Sequence, residues 1–127
     1  MASNSKILVV EDDEPIRLMY DMKLRSSGFQ SFAAKDGAEG LQKAEDIKPD
    51  LILLDLKMPN MSGEDMLEQV RQNGWGASIR VVVLTNISKN EASSKLRFMN
   101  VDRYIVKVHT TPAEVIKIVK EVLGNKK

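Results

Sequence analysis

Short apolar runs alternate along this chain with stretches whose apolar residues recur at helical spacing. That alternation restricts it to folds assembled from βαβ units around a parallel sheet. The runs predict strands at Ile7–Val10, Gln30–Ala33, Leu51–Leu54, Arg80–Leu84 and Tyr104–Val106. Between the first two, Ile16, Met19, Tyr20 and Leu24 share one helical face behind Pro15, and Gly28 offers the left-handed residue that closes such a helix. A second helix is expected over about Ala38–Asp46, with Leu41 and Ala44 inward, ending before Pro49. A third is expected over about Glu64–Asn73, with Met66, Leu67 and Val70 inward, stopping at Gly74. A weaker fourth carries Ala92, Leu96 and Met99. The fifth has the clearest start, because Thr111-Pro112-Ala113-Glu114 combines a capping box with proline at the first helical position, ahead of a buried stripe of Val115, Ile118, Val119 and Val122. Strand followed by helix throughout predicts a single doubly wound, three-layer α/β domain over residues 1–127, although periodicity leaves the strand order open.

The chain has no cysteine, so disulfides, thiolate metal sites and a cysteine nucleophile are excluded. Met1 to Lys6 is polar and lacks the basic flank and apolar length of a signal peptide, and no apolar run approaches a membrane span. A cytoplasmic protein without membrane association is therefore expected. The net charge is +1, with an acidic front half and a basic back half, and the bases are too dispersed for direct nucleic-acid binding. A basic surface for an acidic protein partner is compatible with this pattern. The tail from Gly124 to Lys127 predicts no appended output domain.

In an open parallel sheet the loops past the carboxyl ends of the strands share one edge, where ligands bind. Glu11, Asp12 and Asp13 follow the first predicted strand, Asp55 the third, Thr85 the fourth and Lys107 the fifth. Asp13 or Glu14 is expected to cap the first helix, whereas Asp55 stands too far ahead of its helix to cap it, and Ser62 is the better cap there. Carboxylates crowded at one edge raise one another's pKa unless a cation offsets them. Glu11, Asp12 and Asp55 form the open, all-oxygen set that suits Mg²⁺. A carboxylate in such a site can act as a nucleophile toward phosphorus, with Lys107 and Thr85 supplying a cation and a hydroxyl donor.

These residues have a familiar arrangement. Ile7-Leu8-Val9-Val10-Glu11-Asp12-Asp13, with Asp55, Thr85 and Lys107, resembles the receiver domain of two-component response regulators, and the resemblance covers essentially the whole chain. The loop from Asp55 to Gly63 resembles the family's segment around its phosphorylated aspartate, and Tyr104-Ile105-Val106-Lys107 its last strand. The resemblance implies a flavodoxin-like fold of strand order 2-1-3-4-5. It implies Mg²⁺ held by Glu11, Asp12, Asp55 and the backbone carbonyl of Lys57, and Asp55 as acceptor of a phosphoryl group from a sensor histidine kinase or phosphotransfer protein. Thr85 and Tyr104 would be the switch residues and Lys107 the cation on the phosphoryl group. The output face for a downstream protein target would be the surface of the fourth helix, fifth strand and fifth helix, on a monomer or a weak phosphorylation-dependent dimer. Catalysis would extend at most to the protein's own phosphorylation and dephosphorylation.

Three positions depart from the family pattern. Val108 replaces the usual proline after the lysine; a cis bond there would cost roughly 3 kcal/mol, but the sequence leaves the cis or trans state of the Lys107–Val108 bond open. Asn86 replaces a small residue and bears on phosphoryl lifetime, while Asn100 replaces a glycine as the next best left-handed residue. His109 reads as a solvated loop residue, Trp75 as a packing residue at the opposite end of the sheet, and Lys89, Lys95, Arg97 and Arg103 as a solvated basic face. Three other functions compete. A pseudo-receiver scaffold is suggested by Val108 and Asn86. An aspartate-nucleophile phosphohydrolase would want a second aspartate where Lys57 stands, and a flavin carrier would want a glycine- and hydroxyl-rich first loop.

Overall fold

The computed structural model describes residues 5–124; the first four residues of the polar start and the tail beyond Gly124 lie outside them. Strands β1 (Lys6–Val10), β2 (Gln30–Ala34), β3 (Leu51–Leu54), β4 (Arg80–Thr85) and β5 (Arg103–Val106) form one parallel sheet in the order β2-β1-β3-β4-β5. This is the order that the family resemblance implies. Helices α1 (Glu14–Ser26), α2 (Gly37–Ile47), α3 (Gly63–Gln72) and α4 (Pro112–Gly124) cover its two faces.

Successive strand residues point to opposite faces, so the central strands β1, β3 and β4 feed two cores. Ile7, Val9, Leu51, Leu53, Val82 and Leu84 meet Tyr20 and Leu24 of α1 and Val115, Val119 and Val122 of α4. Leu8, Val10, Ile52, Leu54, Val81 and Val83 meet Ala44 of α2 and Met66, Leu67 and Val70 of α3. Burial on both faces explains why the central strands read as continuous apolar runs.

The helix ends follow local chemistry. Asp13 caps α1 by accepting from the Ile16 amide, and Gly28 takes the left-handed φ of 95° expected of it. Ser62 caps α3 by accepting from the Asp65 amide, and Thr111 and Glu114 make the reciprocal bonds of the capping box. Asn100 is left-handed at φ 54°. Trp75 packs partly buried against the second core.

The fourth helix is a correction. Ala92, Leu96 and Met99 lie not on an α-helix but on a run whose only helical stretch is the 3-10 turn Ser94–Phe98. Its serines and asparagines offer the backbone competing partners. The Ser88 carbonyl accepts from both Glu91 and Ala92, and the Ser93 hydroxyl and carbonyl accept from the Lys95 and Leu96 amides. The apolar spacing still acts on packing, since Leu96 and Met99 are buried.

Candidate functional site

The sheet topology delivers five side chains to one rim. β1 ends at Val10, so Glu11 and Asp12 emerge past its carboxyl end, and Asp55 emerges likewise past β3, the neighbouring strand. The Glu11 amide donates to Ala34 and the Asp55 amide to Val10, which fixes both residues on the sheet edge. Thr85 is the last residue of β4 and not beyond it, and Lys107 opens a short 3-10 turn directly after β5.

Carboxylate oxygens of Glu11, Asp12 and Asp55 all lie within 4.8 Å of one another. Glu11 and Asp55 are only 4% and 7% exposed, while Asp12 faces solvent. Lys107 Nζ reaches across from β5, donating to Glu11 Oε1 at 2.6 Å and Asp55 Oδ2 at 3.3 Å. The other oxygens of Glu11 and Asp55 have backbone donors, with Asp13 N on Glu11 Oε2 at 3.1 Å and Leu56 N on Asp55 Oδ1 at 2.7 Å.

Burial pushes the Glu11 carboxyl up to about 7, with Asp55 adding to the rise and Lys107 opposing it. For Lys107 burial acts to lower the pKa, but the bond to Glu11 and the charge of Asp55 outweigh it and the net shift is upward, so the ammonium stays charged. Three acids against one lysine leave excess negative charge at a half-open rim. All donors there are carboxylate oxygens, and this chemistry fits a hard divalent cation.

Thr85 is buried, and its hydroxyl accepts a long bond from the Ile87 amide at 3.5 Å. Tyr104 OH donates to the Ile87 carbonyl at 2.6 Å, so both tie to the same loop after β4. Among the described residues there is no cis peptide; the Lys107–Val108 bond is therefore trans, with Val108 exposed. The trans bond does not prevent Lys107 from reaching both acids. His109 and Asn86 are exposed.

Sequence reasoning missed three supports. Arg17 donates to the Glu11 carbonyl at 2.9 Å, and no motif announces it. Arg71 of α3 donates to the carbonyls of Met99, Gly76, Ile79 and Asn100, stapling the turns ahead of β4 and β5. Asp36 caps α2 through the Glu39 amide while Glu39 accepts from Lys35, an Asp-x-x-Glu capping pattern legible in the sequence.

The family model for the response regulator receiver domain matches residues 7–120, and the chain belongs to that family. It is 37% identical over 122 residues to the alkaline phosphatase synthesis transcriptional regulatory protein PhoP of Bacillus subtilis, covering 94% of this chain and 49% of that protein. The sporulation initiation phosphotransferase F of the same organism is 35% identical over 82 residues, covering 65% of this chain and 64% of that one. The chain thus spans about half the length of the first of these relatives and under two thirds of the second. Among solved structures, the chemotaxis protein CheY4 of Vibrio cholerae superposes with a TM-score of 0.85 at 28% identity, over 94% of this chain and 98% of its own. The chain is a receiver domain of two-component response regulators, a signalling switch. No helix among the described residues is long and apolar enough to cross a membrane.

Proposed function

We propose that the chain works over its whole length as a cytoplasmic phosphoacceptor switch, taking a phosphoryl group onto Asp55 from a histidine kinase or phosphotransfer protein. The observation that carries this reading is the convergence of Glu11, Asp12, Asp55 and Lys107 from three strand ends on one rim. An Asp55 carboxylate oxygen attacks the phosphorus of a phosphohistidine, a P–O bond forms, the P–N bond breaks, and the departing imidazole nitrogen takes up a proton. Lys107 already sits against Asp55 and holds the positive charge that the incoming oxygens require, and the Thr85 hydroxyl stands ready as a donor to one of them. Glu11, Asp12, Asp55 and the Lys57 carbonyl would hold Mg²⁺, which when bound neutralises charge on the phosphoryl oxygens. Water later attacks phosphorus, releasing phosphate and restoring the carboxylate, so chemistry is confined to the protein's own acyl phosphate.

The readout follows from the tie between Thr85, the Ile87 segment and Tyr104. A phosphoryl group that draws the Thr85 hydroxyl away frees the Ile87 amide, shifts the loop and changes where Tyr104 rests. The output surface is the segment of residues 88–100 with β5 and α4, facing a protein target and not nucleic acid, on a monomer or a weak dimer formed on phosphorylation. Intact-mass spectrometry after incubation with Mg²⁺ and a small acyl phosphate or phosphoramidate tests the chemistry. One phosphoryl adduct that requires Mg²⁺ and is missing in Asp55→Asn supports it. A protein that neither gains an adduct nor binds Mg²⁺ is instead the interaction scaffold.

A further inference from the structure

The loop after Asp55 is clamped by a turn that belongs to another unit of the fold. Asp36, buried at the start of α2, accepts from the Glu39 amide with one oxygen at 2.8 Å and from the side-chain amide of Asn60 with the other at 2.7 Å. Asn60 is left-handed at φ 69°, a backbone state that asparagine and glycine tolerate best. One residue on, the Met61 carbonyl accepts from the Gly37 amide at 3.1 Å, and a Cβ on Gly37 would collide with that carbonyl. At the loop's other end Leu56 is buried, its carbonyl accepts from the Gly63 amide at 2.9 Å, and a Cβ on Gly63 would strike the Asp55 carbonyl. Between these two anchors run Lys57, Met58 and Pro59, with Pro59 fixing its own φ and Met58 packed partly into the core.

We infer that Asp36 and Asn60 are positioning residues for the phosphorylation site, setting through their hydrogen bond where the Lys57 carbonyl stands relative to the acids. This rests on the proposed role of that carbonyl as a Mg²⁺ ligand. Groups that orient a metal's ligands commonly change affinity by tenfold or more when removed. Asn60→Gly deletes the amide while tolerating the left-handed backbone, and it leaves the Gly37–Met61 bond in place. Its Mg²⁺ dissociation constant should rise about tenfold, with phosphorylation at saturating Mg²⁺ near the wild-type level. The exchange pair Asp36→Asn with Asn60→Asp keeps a capping oxygen on α2 and reverses donor and acceptor across the latch, so it should recover most of the affinity.

The test is calorimetric titration of Mg²⁺ into wild type, Asn60→Gly, Asn60→Asp and the exchange pair, beside urea unfolding of each without metal. Weakened binding in both single variants with recovery in the pair supports the latch. Unchanged affinity in Asn60→Gly overturns it, as does a pair no better than Asn60→Asp alone. A loss confined to urea stability, with affinity intact, also overturns it, because a purely structural bond would give that result. The phosphoryl adduct is scored separately: wild type that gains no adduct, yet whose Mg²⁺ affinity depends on the latch, sinks the phosphoacceptor reading and leaves the latch standing.

Discussion

Replacing Asp12 by asparagine should stabilise the metal-free protein and sharply reduce its stabilisation by Mg²⁺. Asp12 is solvent-facing, and its carboxylate lies within 4.8 Å of those of Glu11 and Asp55. At pH 8, above the value of about 7 to which burial pushes Glu11, its carboxyl is mostly charged. Each repulsion at that distance is worth about 1 kcal/mol with water screening. Attraction to the Lys107 ammonium cancels part of the two, leaving a net gain of about 1 kcal/mol for Asp12→Asn, or about 4 °C in melting temperature for a chain of this size. Mg²⁺ at ten times its dissociation constant should stabilise the wild type by about 1.4 kcal/mol. The variant, lacking a ligand, should gain far less, so the order of stability reverses on adding metal. Urea unfolding at pH 8 in EDTA and again in Mg²⁺ measures all four values. A variant less stable than wild type in EDTA, or one that Mg²⁺ stabilises as strongly as wild type, would refute the electrostatic account of this rim.

Other perturbations have equally definite outcomes. Lys107→Met leaves two buried acids without their cation and should cost about 2 kcal/mol in EDTA, less than a fully buried pair because a proton can replace the lysine; equal urea midpoints would contradict this. Arg71→Lys cannot span the carbonyls that the guanidinium holds and should cost about 2 kcal/mol, read as faster amide exchange at Gly76 and Met99. The Glu39 amide, followed by the Asn60 side chain, holds the Asp36 carboxyl below its usual range. Its contribution is complete above the ordinary value of 3.8 and is lost as pH falls through the lowered one, so the stability difference between wild type and Asp36→Asn should be constant well above 3.8 and shrink steadily as the pH is taken below it. Gly63→Ala drives a methyl into the Asp55 carbonyl and should destabilise by about 3 kcal/mol or more while lowering phosphoryl uptake.

The central strands were readable because they are buried on both faces, which turns β1, β3 and β4 into plain apolar runs. The helices α1 to α4 were readable from caps and stripes, with boundaries shifted by a residue or so where a cap was unrecognised, as at Asp36. The segment holding Leu96 and Met99 misled because its apolar spacing reports burial, which a 3-10 turn and a helix satisfy alike, while its serines decide the backbone. Strand order was not in the periodicity and came from family resemblance. The acids and Lys107 were legible because the topology puts every strand's carboxyl end on one edge. Arg17, Arg71 and the bond between Asp36 and Asn60 were not, since contacts between chain segments far apart leave no local pattern.

Chemical trapping of the acyl phosphate tests the central claim most directly. After incubation with Mg²⁺ and a small phosphodonor, borohydride reduces an aspartyl phosphate to homoserine, and peptide mass spectrometry locates it. The account predicts homoserine at position 55 and nowhere else, dependent on both donor and Mg²⁺. Homoserine at another aspartate, or a phosphoryl adduct that resists borohydride, would contradict it.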